Sequence, residues 1–316
     1  MLFRSVYLSA IVASFGSCMI GYTTSFIGTT VALDSFGDAF GFQNMSTAES
    51  TLIKANVVSL FQAGAFFGSP MAYATSHYLG RVKSLWISAS VFIIGAAITF
   101  ASITGSLGPL YAGRVICGLG VGGCTLVVSN SMGSIHSSGS QRAYQNLQIP
   151  VYIAEMAPPA IRGRLVGTYE LGWQLGGLVG FWINYGMIQT LPSSQEQWLI
   201  PFAVQLIPAG LLLIGSLFLK ESPRWLFTKG RVDEAVVNLC YIRKLAADDA
   251  YILEEITMME QQTFDIPRGF FQPIKEAFED PKTRWRLFLG HSLFILQNFA
   301  GVNAINYYSP DIFRSG

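Results

Sequence analysis

LGPLYAGRVICGLGVGGCTLVV, residues 107–128, decides how the whole chain is read. Its 22 residues carry a single charge, Arg114, and as a helix rising about 1.5 Å per residue they reach about 33 Å. A bilayer core is about 30 Å thick, so this run spans it. Outward from it, similar runs occur at Val6 to Val31, Ala55 to Thr75, Leu85 to Ile103, Leu165 to Ile188, Trp198 to Leu219 and Leu287 to Tyr308. Seven spans make an all-α membrane protein. Composition agrees: 51% of the 316 residues are hydrophobic and 12% are charged, against about 25% charged in soluble domains. The net charge of +1 offers no basic face for nucleic acid.

The first run follows a short basic start, MLFRS, which also suits a signal peptide; its length and the spans behind it favour a membrane helix. Arg81, Lys83, Arg162 and Arg164 fall in loops of one side, which places that side and the N-terminus in the cytoplasm. Asp34, Asp38 and Glu49 then lie outside, with the one sequon, Asn44-Met45-Ser46, as a possible glycosylation site. Lys220 to Arg286 holds 11 of the 20 basic and 12 of the 19 acidic residues. Its mixed apolar and charged pattern predicts short amphipathic helices on the cytoplasmic side. Cys18, Cys117, Cys124 and Cys240 form no CxxC pair, and His77, His136 and His291 have no ligand at metal spacing. No metal, cofactor or nucleophile motif supports an enzyme.

Glycines crowd the spans, with Gly64 and Gly68, Gly118 to Gly123, and Gly172 to Gly180 at spacings that let helix backbones approach. GLGVGG satisfies GxGxxG but follows no strand and has no acidic residue about 20 positions on, so helix packing explains it. Arg114 and Glu170 are the ionisable residues well inside spans, each costing about 2.5 to 3.5 kcal/mol on the insertion scale. They are functional candidates, or else a structural ion pair with each other. Asn184, Gln174, Gln297, Asn298, Asn303, Asn306, Tyr307 and Tyr308 add polar groups; at helical spacing Gln297, Gly301 and Tyr308 share one face of span seven.

Five segments in order resemble the sugar porter family of the major facilitator superfamily: LGRVKSL, YAGRVICGLG, YIAEMAPPAIRGRL, KESPRWLFTKGR and QNFAGVNAINYYSPDIF. ELGWQLGGLVGFWINYG and NLCYIRKL further resemble its fungal quinate and hexose permeases. The resemblance implies alternating access between two six-helix halves, a sugar or quinate-like substrate, a plasma-membrane location, the lipid bilayer as surroundings and protons as a candidate co-substrate. On that basis residues 1–219 are the six-helix N-terminal half, 220–286 a cytoplasmic helical linker and 287–316 the first helix of the C-terminal half. The implied gating network is Arg81, Glu155, Arg162, Glu221 and Arg224. The implied substrate contacts are Glu170, Gln174, Gln297, Asn298, Asn303 and Tyr307, because hydroxyl-rich ligands need paired donors and acceptors.

The sequence departs from that family in four places. Thr23 stands where proton-coupled relatives carry an aspartate, leaving Arg114 without its family partner; this implies facilitated diffusion, or coupling moved to Glu170. The polar stretch within 124–149 interrupts a helix that is continuous in relatives and reads as a retained intron in preference to a loop extension. Lys220 replaces a proline, and Ser76 and His77 stand near the place of an acidic residue before LGR. Finally, the chain stops after span seven, which predicts a truncated product inactive on its own; the alternative is a non-transporting sensor on the same fold.

Overall fold

The computed structural model describes residues 4–102, 106–125, 152–153, 155–158, 161–264, 279, 281–301, 305 and 307. The described residues are helical and contain no strand. The long helices are α1 (Arg4–Val31), α3 (Thr47–Leu79), α4 (Arg81–Phe100), α5 (Leu107–Thr125) and α6 (Arg162–Thr190), with the short α2 (Asp34–Ala39) after α1. Next come α7 (Gln195–Val204) and α8 (Leu206–Ser216), three shorter helices α9 (Pro223–Thr228), α10 (Val232–Arg243) and α11 (Ala250–Phe264), and finally α12 (Pro281–Phe299). By length and apolarity alone, Val6–Val31, Arg81–Phe100 and Gln195–Ser216 are long enough to cross a membrane. The interrupting stretch within 124–149 lies, from residue 126 on, outside the described residues.

Local chemistry sets the helix ends. Ser46 caps α3 through a capping box with Glu49, which starts that helix well before the apolar run at Ala55. The sixth span is not one rod: α7 stops at Val204 and α8 starts at Leu206. Pro208 explains the break, since it lacks the N–H that would bond the Val204 carbonyl and its ring collides there. The seventh span also differs from the expected continuous helix. It is interrupted after Phe299, and Gly301 takes a positive φ of 79°. Gly301 thus leaves helical geometry at the middle of the expected shared face of Gln297, Gly301 and Tyr308, and Tyr308 lies outside the described residues.

The bundle is built from tight pairs: α1 on α6, and α5 wedged between α3 and α4. GLGVGG does the wedging. A Cβ on Gly118 would collide with the Phe61 carbonyl of α3, and one on Gly120 would lie 2.6 Å from the Phe92 nitrogen of α4. Successive glycines of one helix thus meet two neighbours at backbone distance, as the packing reading expects. Between α1 and α6, Asn184 is buried and fully engaged. Its amide donates to Phe26 O (2.9 Å) and Thr29 Oγ1 (2.7 Å), and its Oδ1 accepts from Thr30 Oγ1 at 2.9 Å. Asn184 is therefore interhelical glue and not a ligand group.

The added Cβ of Gly118→Ala is expected to cost about 1 to 3 kcal/mol by overpacking, read as a lowered thermal unfolding midpoint in detergent. Gly163→Ala, in the same fold but with open space around the glycine, should leave the midpoint unchanged or slightly raised.

Candidate functional site

Two groups of polar residues stand out. The first is a charged layer where α9–α11 meet the ends of α3 and α4. Arg81 and Glu155 form a buried ion pair, Nη2 to Oε1 at 3.0 Å and Nε to Oε2 at 3.4 Å, with side chains 5% and 8% exposed. Arg81 Nη1 also donates to Ser76 O (3.2 Å) and Ser76 Oγ (3.1 Å), so the helix end that lacks the usual acid still holds the guanidinium through a serine.

Glu221 does something different from pairing with an arginine side chain. Helix α4 begins after Gly80 without a side-chain cap of its own. Its first amides are instead met from outside: Glu221 Oε1 accepts from Arg81 N at 2.8 Å, and Oε2 from Val82 N at 3.2 Å. A carboxylate at a helix N-terminus satisfies orphan donors and opposes the helix dipole. Gly80 has φ 102°, and a Cβ there would stand 2.5 Å from Glu221 Oε2, so the glycine makes room for the cap. Burial raises the Glu221 pKa, against the lowering effect of those amides and of Arg81.

Sequence reasoning missed a second clamp. Arg243, at the end of α10, donates to Glu255 of α11 through Nε (2.9 Å) and Nη2 (2.6 Å), and through Nη1 to Met156 O at 2.8 Å. It ties the α9–α11 layer to the segment bearing Glu155. Tyr152 Oη adds a bond to Lys220 O (2.9 Å), and Trp225 Nε1 one to His77 O (3.2 Å). The Arg224 Nε is buried and has no partner among the described residues. The Arg162 side chain lies outside the described residues.

The second group lies within the spans. Glu170 and Gln174 stand exposed on one face of α6, a turn apart, with Gln174 Nε2 donating to Glu170 Oε1 at 3.3 Å. Gln297 is exposed on α12, and no hydrogen bond joins it to them among the described residues. The Asn298 side chain and all of Asn303 lie outside the described residues. Tyr307 is not open to a cavity but 6% exposed, packed against α1 and accepting a 2.5 Å hydrogen bond from Gln62 Nε2 of α3. Arg114 is fully buried, and the alternative of an ion pair with Glu170 does not occur. Its Nε donates to Val57 O at 3.1 Å and its guanidinium lies 4.4 Å from the Phe61 ring centroid, while Nη1 and Nη2 have no partner among the described residues. Thr23 is buried and donates into its own helix, to Met19 O at 2.7 Å. Asn44 is exposed beside the Ser46 cap.

Removing one partner of a buried ion pair costs about 3 to 5 kcal/mol. Glu155→Ala is expected to show that loss in thermal unfolding, with Glu234→Ala, whose partner Arg231 is exposed, near neutral as the control. Glu221 supplies a pH test. Its pKa is raised in the folded protein above the usual 4.5, so the folded state takes up the proton first. Its contribution is fully present below the unfolded value and is lost as pH rises through the folded one. Glu221→Gln should therefore flatten the melting-temperature profile just above pH 4.5, and an unchanged slope would refute the assignment.

Comparison with known proteins places these features. The sequence model of the sugar (and other) transporter family matches residues 9–135 and 143–315. A probable quinate permease of Aspergillus niger is 55% identical over 98% of this chain and 54% of its own length. The quinate permease of Neurospora africana is 52% identical over 98% of this chain and 55% of its own. The chain thus spans about half the length of the curated relatives it matches. Among solved structures, the xylose transporter XylE of E. coli in a partially occluded inward-open conformation superposes with a TM-score of 0.71 at 26% identity, over 98% of this chain and 67% of that one. The proton:xylose symporter XylE bound to 6-bromo-6-deoxy-D-glucose gives a TM-score of 0.75 at 24% identity, a likeness of fold. These relatives are transporters, not enzymes. With a family match over nearly its whole length and helices that pack as in those structures, the chain is an integral membrane protein belonging to the sugar (and other) transporter family.

Proposed function

We propose that this chain forms the N-terminal half, the linker and the first helix of the second half of an alternating-access transporter for a sugar or a quinate-like polyol carboxylate. The observation that carries this reading is the 55% identity to a probable quinate permease over 98% of the chain. The exposed Glu170–Gln174 pair on α6 supports it, since an acceptor and a donor side by side suit vicinal hydroxyls. Gln297 on α12, with Asn298 and Asn303, supplies further donors and acceptors, and Tyr307 joins them once it gives up its bond to Gln62. Residues 1–219, 220–286 and 287–316 divide as bundle, linker and seventh helix. The N-terminus and the charged layer are cytoplasmic, in the plasma membrane. The layer, with Arg162 and Arg224, holds one access state and loosens in the other, a job suited to ion pairs at a wet rim.

Transport is facilitative. Thr23 has no proton to carry, and its hydroxyl is committed to Met19 O. The substrate pathway lies between two halves, so these 316 residues need a complementary half, whatever chain supplies it. Proteoliposomes holding the chain together with the C-terminal half of the Aspergillus niger relative should take up labelled quinate or sugar without internal acidification. Uptake by the 316 residues alone would overturn the need for a partner. Proton influx coupled to substrate would overturn facilitation, and its loss in Glu170→Gln would place the coupling on Glu170.

A further inference from the structure

We propose that Arg114 is the counter-charge for a carboxylate on the substrate, so that the path through this half is built for an anionic polyol in preference to a neutral sugar. The inference deepens the transport reading above and rests on it. The three most buried arginines of the described residues differ in one respect. Arg81 and Arg243, 4% and 3% exposed, each hold a carboxylate at two points. Arg114 is the most buried, at 0%, and no carboxylate of the described residues lies within ion-pair distance of it.

What surrounds Arg114 meets only part of its need. Val57 O takes the Nε proton and the Phe61 ring covers the guanidinium face. Both Nη atoms, the edge whose parallel N–H groups match the two oxygens of a carboxylate, remain unsatisfied among the described residues. A carbonyl and a ring face leave a buried full charge uncompensated, and such a charge is strongly unfavourable until an anion joins it. A neutral hydroxyl would satisfy one N–H but leave the charge. Thr23 offers neither, because it is uncharged and its proton is already bonded to Met19 O.

The neighbourhood also suits the rest of such a ligand. Tyr307 stands against α3 beside the residue that covers Arg114. Its hydroxyl is paired with the Gln62 amide, one residue from Phe61, and that pair can exchange its bond for substrate hydroxyls. Glu170 does not neutralise Arg114: it stands exposed on α6, bonded to Gln174, and forms no ion pair with Arg114.

The test is binding to the 316-residue chain reconstituted in nanodiscs together with the C-terminal half of the Aspergillus niger relative, with quinate against myo-inositol, a neutral cyclic polyol. Expected are at least tenfold tighter binding of quinate than of inositol, and loss of that preference in Arg114→Gln with inositol affinity kept within twofold. Thr23→Asp, which supplies an internal carboxylate where relatives have one, should also remove the preference and guards against a poorly folded Arg114 variant. Equal affinities for both ligands in the unmodified chain, or an unchanged preference in Thr23→Asp, overturn the inference and leave the transport reading standing. Binding of neither ligand overturns both.

Discussion

The fold depends on backbone-to-backbone approach between helices. In a bilayer, lipid is as apolar as leucine, so burying leucine gives helices little reason to associate. Close contact over long stretches must supply the energy, and only residues without a Cβ allow it. In α5 the glycines divide the work: Gly118 and Gly122 take α3, and Gly120 and Gly123 take α4. In α1 and α6, Gly21 meets Trp173 and Gly176 meets Cys18 in the same manner. Polar side chains then add direction to this packing, as Asn184 does for α6 on α1.

Tight pairs alone would not fix the ends of the helices, and the charged layer supplies that. Glu221 caps α4 from another part of the chain, Arg81 holds Glu155, and Arg243 joins the Glu155 segment to α10 and α11. Each link crosses between elements that are otherwise free to slide, so the layer acts on the relative position of helix ends. Its bonds are strong because they are buried and bidentate.

How much of this was legible in the sequence varied with the range of the interaction. Span length and glycine spacing are local patterns, and they predicted the helices and the packing role of GLGVGG. Pro208 was equally legible as a break, although the sixth span was read as one piece. Gly301 was not, since a lone glycine in a helix is tolerated about as often as it ends one, and its positive φ depends on what packs around it. The Arg243–Glu255 clamp bridges two helices and reaches a carbonyl 87 positions earlier, so no spacing rule exposes it. Loop charge alone singles out Arg81, and family resemblance alone pairs it with Glu221. The sequence motif named the residues, but the capping geometry that makes them partners is a tertiary fact.

The break at Gly301 ties the seventh helix to the rest. Tyr307 stands beyond the break at Gly301 and packs against α1. Its backbone comes so close to α1 that a Cβ on Gly28 would collide with the Tyr307 carbonyl, while its hydroxyl takes the Gln62 amide of α3. A straight seventh helix would carry Tyr307 on a different course, and any side chain at position 28 would push it off. Gly28 therefore receives Tyr307 on α1 at backbone distance. Tyr307 and Arg114 meet neighbouring residues of α3, Gln62 and Phe61, so that helix joins the placement of Tyr307 to the environment of the buried charge.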